Sequence, residues 1–461
     1  MNARTGWALL AAGIFASRLA HLRILWVEEC YPAAAAIQIL HGKLPYRDFF
    51  FDKPPLSAFL YLLWGGYDGW PLRLAGTLFI LLCCWLLHRF ALELWSPREA
   101  STAAILLAFF LTFDTPSAVI ALAPDMLLVA PHIAAVWMAF TASPVLAGLL
   151  CAAALLLHTK AVFVIAICAF LLRRRLPAFL GTFLLASLAS LGLLAAFGML
   201  EGYRQQVWLW GLRYAADTFL DDPLLLGLKR TAGWLGFHAA LLPGLWLLIR
   251  NRDDRWLLLW LAICLAGVAA GWRFFPRYYF LMLPALTLAG ARGLALLPRK
   301  QALAAAALLL VPLARFAPRY FTANDPTWAD TAMNRDSRQA AAIIQQHVRP
   351  GDTLLVWGYR PDLYVYTRLP AATPFLDSQP LTGVIADRHL TNNTPTAPGL
   401  AASNRRLLLK TRPTFIADGL GPYNPALRIT VFQDLLPWLA SYRTLPTTRG
   451  MRISRLNPPN P

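Results

Sequence analysis

Between Trp7 and Phe316 the chain repeats apolar runs of roughly 17 to 20 residues, each able to cross about 30 Å of hydrocarbon as a helix. In hydrocarbon every backbone N–H and C=O must be satisfied within its own segment, so such a chain folds as a bundle of α-helices. The composition agrees: 58% of residues are hydrophobic and 14% are charged, far from the even mixture of a soluble domain. After Pro318 the runs stop. The first run, from Trp7 to Leu25, is longer than a signal-peptide core and no small-residue cleavage pattern follows it, so it reads as a retained first helix.

Hydropathy places membrane helices near 6–25, 71–90, 99–113, 123–140, 144–158, 160–172, 177–199, 233–249, 256–271, 278–297 and 301–316. The expected fold is a polytopic α-helical membrane protein of about eleven crossings over 1–318, followed by a small α/β domain over 319–461. Alternate loops carry Arg4, then Arg89 and Arg98, then Arg173 to Arg175, then Arg250, Arg252 and Arg255, then Arg299 and Lys300. Positive charge gathers on the cytoplasmic side, which puts the N-terminus inside and everything after Phe316 outside. In the last third, "NRDSRQAAAIIQQHV" has helical spacing ahead of "GDTLLVWG", and "ASNRRLLLKTRPTFIADG" repeats helix then strand.

The net charge of +18 would suggest a nucleic-acid partner in a soluble protein; here much of it marks cytoplasmic loops, and no nucleic-acid partner is expected. Five of six cysteines fall inside predicted helices, with only Cys30 in a loop, so no disulfide framework is implied. There is no HExxH and no glycine-rich phosphate loop, which argues against zinc hydrolases and P-loop pumps.

The first outer loop, 26–70, carries most of the chemistry. Two apolar stretches, Tyr31 to Leu40 and Pro55 to Trp64, are too short to span and are expected to lie in the membrane interface as amphipathic helices. Between them sit Lys43, Arg47, Asp48, Asp52 and Lys53. Pro54-Pro55 suits a helix start, which would set the Lys53 ammonium beside a helix N-terminus at headgroup depth, where a phosphate is held by both. The plainer alternative is that Lys53 and Arg47 pair with anionic membrane lipids or with Asp48 and Asp52. The Glu28-Glu29 pair offers a general base, against the alternative of two solvated acids.

These segments resemble the polyprenyl-phosphate-sugar glycosyltransferases of the C superfamily, with the protein O-mannosyltransferases and lipid A aminoarabinose transferases the most similar in pattern. That pattern is an acidic pair after the first helix, a Tyr two residues on, a Gly…Pro-Tyr segment and then KPPL. Here "EECY" (Glu28 to Tyr31), "HGKLPYRD" (His41 to Asp48) and "DKPPL" (Asp52 to Leu56) follow in that order and spacing. "RLAG", "PDMLL" (Pro124 to Leu128) and "FPRYYFLMLPALTLAGARG" (Phe275 to Gly293) fit as well. Glu28 stands where the family usually has Asp, which leaves the base as either Glu28 or Glu29.

The resemblance implies sugar transfer from a polyprenyl-phosphate donor at the outer face of the membrane, to a protein, lipid or cell-envelope glycan. Lys53 and Arg277 would bind the donor phosphate, Glu28 or Glu29 would take the acceptor proton, and Asp125 would orient the acceptor or a divalent cation. Arg273 and Tyr278 are further donor-site candidates, with interfacial anchoring as their ordinary alternative. Asp52, Tyr46, Lys160 and His158 complete the set, Lys160 and His158 having snorkelling as theirs. A transporter or flippase of a lipid-linked glycan is the competing function; it calls for polar residues at the bilayer midplane and broken helices in symmetric halves.

Overall fold

The computed structural model describes residues 3–216, 222–250, 254–323, 325, 327–384 and 393–458. Every predicted crossing has a helical counterpart, and local sequence explains most of the boundaries. Gly69 takes a left-handed φ of 67° and Pro71 enters the first turn of the helix Trp70–Leu94. The helix Pro97–Phe110 begins on a capping box, with Ser96 and Glu99 satisfying each other's first-turn N–H groups. Small residues let helices meet closely: a Cβ at Gly148 would come within 2.9 Å of the Phe179 carbonyl oxygen on the facing helix.

Among the described residues three helices are long and apolar enough to span a bilayer unaided: Trp70–Leu94, Arg173–Ala196 and Arg299–Phe321. Pro124–Phe140, Pro144–Leu157, Ala161–Leu171, Trp256–Ala269 and Leu283–Leu296 are apolar but shorter. The helix expected at 233–249 is two pieces, Pro223–Phe237 and Ala239–Ile249, bent by 72°. Pro243 lies four residues beyond Ala239, where its ring and missing N–H prevent one continuous helix through His238. The first helix, Ala3–Leu19, carries Arg18 inward, where its guanidinium donates to the Leu111 and Val119 carbonyl oxygens at 2.8 and 2.9 Å.

The two short stretches of the outer loop are not both surface helices. Val27–Leu40 forms one helix that takes in the Glu28-Glu29 pair and Cys30, and it is buried from Glu29 to Gln38. The run Ala33 to Ala36 presents no bulk, so the C-terminal region packs directly on it. Tyr31, Ala34, Ala35 and Phe51 share a core with Ala340, Ile344, Val356 and Leu363. The Gln38 amide oxygen accepts from Ala371 N at 2.7 Å. The second stretch is a single α-turn, Leu56–Phe59, continued as a 3₁₀ helix, Leu60–Trp64.

The C-terminal region contains both predicted helix–strand pairs. Ala329–Gln345 leads into β1 (Leu354–Trp357) and Pro398–Leu408 into β2 (Phe415–Asp418). β1 and β2 run parallel, and an antiparallel hairpin of β3 (Tyr442–Thr444) and β4 (Arg452–Leu456) extends the sheet in the order β1-β2-β4-β3.

Candidate active site

Glu28 and Glu29 occupy the first turn of Val27–Leu40, where successive side chains diverge by about 100°. Glu29 turns inward. Its carboxylate accepts both terminal nitrogens of Arg73 at 2.8 Å and the Leu122 N–H at 2.9 Å, and both side chains are sealed from solvent. Glu28 faces a cavity and pairs with Arg277, Nη1 to Oε1 at 2.6 Å.

Arg277 links two carboxylates. Its Nε lies 3.2 Å from Asp125 Oδ2, while Asp125 Oδ1 lies 3.2 Å from His158 Nε2. The backbone N–H of Lys160 donates to His158 Nδ1 at 3.0 Å, which leaves Nε2 as the nitrogen that carries the proton toward Asp125. The Lys160 ammonium sits 2.9 Å from the centroid of the Tyr278 ring. These groups come from the start of the outer-loop helix, the turn at Pro124–Leu127, the His158–Lys160 turn and the 3₁₀ segment Pro276–Leu281.

Lys53 completes the cationic wall. Its Nζ is 3.0 Å from Asp52 Oδ2, and its carbonyl oxygen accepts from the Tyr46 hydroxyl at 2.6 Å. Tyr46 is buried, has a left-handed φ of 68°, and fixes the Lys53 backbone from behind without lining the cavity. Burial opposes the Lys53 charge, but Asp52, with Tyr214 and Glu28 beyond it, raises its pKa above the ordinary lysine value. Only one α-turn follows Pro55, so little helix dipole adds to the ammonium.

Two cavities meet at these residues. The larger, of about 390 Å³, has apolar walls that include Phe163, Trp208, Trp210 and Leu212. Glu28, Asp52, Lys53, Asp125, His158, Lys160, Arg273, Arg277 and Tyr278 form its polar end. The smaller, of about 250 Å³, shares Glu28, Asp52, Lys53, Tyr214 and Arg277 with it and is otherwise lined by Ser117, Asp330, Tyr359 and Gln379 among others. Arg273 is buried, donates to the Tyr214 carbonyl and stacks 3.3 Å from the Tyr214 ring centroid.

The structure thus gathers nine of the eleven candidates from the sequence around one cavity; Glu29 and Tyr46 support it from outside. Sequence reasoning missed Tyr214, which lines both cavities from a segment without a motif, and Asp330, Tyr359 and Gln379, contributed by the C-terminal region. For the divalent cation considered at Asp125 the fit is poor: both of its oxygens already face Arg277 and His158. Among the described residues no three His, Cys, Asp or Glu side chains come together as a metal site.

No protein-family model matches the chain, and no curated protein sequence does. Solved structures do. ArnT from Cupriavidus metallidurans bound to undecaprenyl phosphate aligns over 98% of both chains with a TM-score of 0.66 at 14% identity. The chain shares its overall fold with ArnT. ArnT from Cupriavidus metallidurans in the apo state aligns over the same 98% of each chain, with a TM-score of 0.62 at 15% identity.

Proposed function

We propose that this chain is a membrane glycosyltransferase that moves a sugar from a polyprenyl-phosphate donor to an acceptor hydroxyl at the outer face of the membrane. The observation that carries this reading is the meeting of two differently lined cavities at the Glu28–Arg277 pair. The larger has an apolar wall suited to an isoprenoid chain and a cationic end suited to its phosphate. The undecaprenyl phosphate in the structurally similar ArnT supports the same class of ligand.

In the proposed reaction Lys53 and Arg277 hold the donor phosphate. The acceptor hydroxyl enters from the smaller cavity and attacks the sugar C1 while Glu28 takes its proton. The C1–O bond to phosphate breaks, its electron pair stays on the phosphate oxygen, and polyprenyl phosphate leaves. A phosphate leaving group needs cations more than a general acid, which fits a site richer in Lys and Arg than in protonated acids. Asp125 acts on Arg277, holding the guanidinium edge in place between the two cavities. Glu29 is assigned a structural role with Arg73.

Incubating the purified protein in nanodiscs with radiolabelled polyprenyl-phosphate sugars tests this. Release of free polyprenyl phosphate is expected, whereas a transporter or flippase would return the donor intact. The proposed orientation puts the C-terminal region outside. An impermeant thiol reagent should then label Ser403→Cys on intact spheroplasts, over a low background because all six native cysteines are buried. Labelling only after lysis would reverse the orientation.

A further inference from the structure

Among the described residues, Lys160 is the one cation of this cavity whose charged group has no hydrogen-bond acceptor in the protein. Its Nζ is inaccessible to solvent and has no hydrogen-bond partner, so it does not snorkel to water. The carboxylate closest in influence, Asp125, is committed to Arg277 and His158, and the Tyr278 ring face offers only a cation–π contact. An ammonium carries three N–H donors, and burying it unpaired is costly unless something else repays the cost. Lys160 lies in the wall of the larger cavity, at the same polar end as Lys53, Arg273 and Arg277. A phosphate lodged there would offer the missing acceptors.

Resting on the glycosyltransferase reading, we propose that Lys160 is a third phosphate-binding cation, which engages the leaving phosphate as its second negative charge develops. The donor is a phosphodiester with one charge. Cleavage of the C1–O bond places a further electron pair on the bridging oxygen, giving a monoester that carries close to two charges. Lys53 and Arg277 are each already shared with a carboxylate, Asp52 and Glu28. Lys160 shares its hydrogen bonds with none, so its interaction strengthens most between bound donor and products, which is the kind of contact that accelerates a reaction.

The test compares wild type, Lys160→Met and Lys160→Arg in nanodiscs, with undecaprenyl phosphate as the probe, by binding and by thermal unfolding. Lys160→Met should weaken the probe's Kd by roughly tenfold or more while raising the unfolding temperature of the ligand-free protein, because the unpaired charge is gone. Lys160→Arg should keep most of the affinity. A Lys160→Met protein that binds the probe like wild type overturns the proposal, as does one that loses ligand-free stability, which would make Lys160 a structural partner of Tyr278. Wild type that fails to bind the probe would instead refute the donor assignment itself.

Discussion

Arg277 Nη1 lies 2.6 Å from Glu28 Oε1, so the proposed phosphate ligand and the proposed base form one ion pair when no substrate separates them. In the proposed reaction a donor phosphate would compete with Glu28 for the same guanidinium, and its arrival would free the carboxylate for the acceptor proton.

Glu28→Gln separates these two roles. The amide cannot accept a proton, and turnover should fall on the order of 100-fold to 10,000-fold, the usual contribution of a positioned base. Affinity for undecaprenyl phosphate should hold or improve, because Arg277 loses its competitor. Wild-type turnover with saturating donor would remove Glu28 from the chemistry and leave Asp125 as the carboxylate to examine.

Glu29→Gln should fail differently. It leaves Arg73 buried beside a neutral amide, and breaking a buried pair in this way costs about 3 to 5 kcal/mol of stability. Thermal unfolding should show the loss, and a double Glu29→Leu, Arg73→Met variant should recover part of it. If Glu29→Gln unfolds like wild type but no longer turns over, Glu29 and not Glu28 is the base.

How much of this was legible in the sequence depends on distance along the chain. The helices could be read because hydropathy is a local property, and the acidic pair and KPPL segment because each lies within a few residues. The division of labour between Glu28 and Glu29 could not: Arg73, which decides it, lies 44 positions from Glu29, and nothing local in "WPLRLAG" ties it to the acidic pair. The bend at His238 was hidden because apolar residues continue on both sides of it. β3 and β4 were missed because strands of three and five residues are too short for a period-two pattern to stand out. Tyr214 and Gln379 come to the site only through tertiary packing, which no local pattern encodes.

Two lysines of the same loop should part company. Lys53→Ala should cost about 2 to 4 kcal/mol of transition-state stabilisation, the range for removing one electrostatic stabiliser. Lys43 instead donates to the Ala371 carbonyl of the C-terminal region and lines neither cavity, so Lys43→Ala should leave kcat/KM close to wild type. Equal and small losses from both would mean that the loop only attracts anionic lipid.

The pH dependence follows from Lys160. Burial pulls its pKa from 10.5 down to about 7, Asp125 opposing the shift and Arg277 adding to it. His158 and Tyr278 complete its immediate surroundings. A bound phosphate favours the ammonium, so above about pH 7 binding must draw a proton onto Lys160. Undecaprenyl phosphate affinity should then fall from pH 7 to 9, approaching tenfold per unit, and the slope should vanish in Lys160→Met. Ligand-free stability should move the other way. The folded pKa lies below the unfolded one, so the penalty is full below about pH 7 and is relieved as pH rises toward 10.5. A pH-independent affinity in wild type would mean that Lys160 does not meet the phosphate.

The most direct measurement is a structure of the protein with undecaprenyl phosphate bound. The phosphate is expected between Lys53 and Arg277, with Lys160 lifted from the Tyr278 ring toward it, Glu28 released from Arg277, and the isoprenoid chain along Phe163, Trp208 and Leu212. A phosphate found elsewhere, with the Glu28–Arg277 pair still closed at 2.6 Å, would contradict the account.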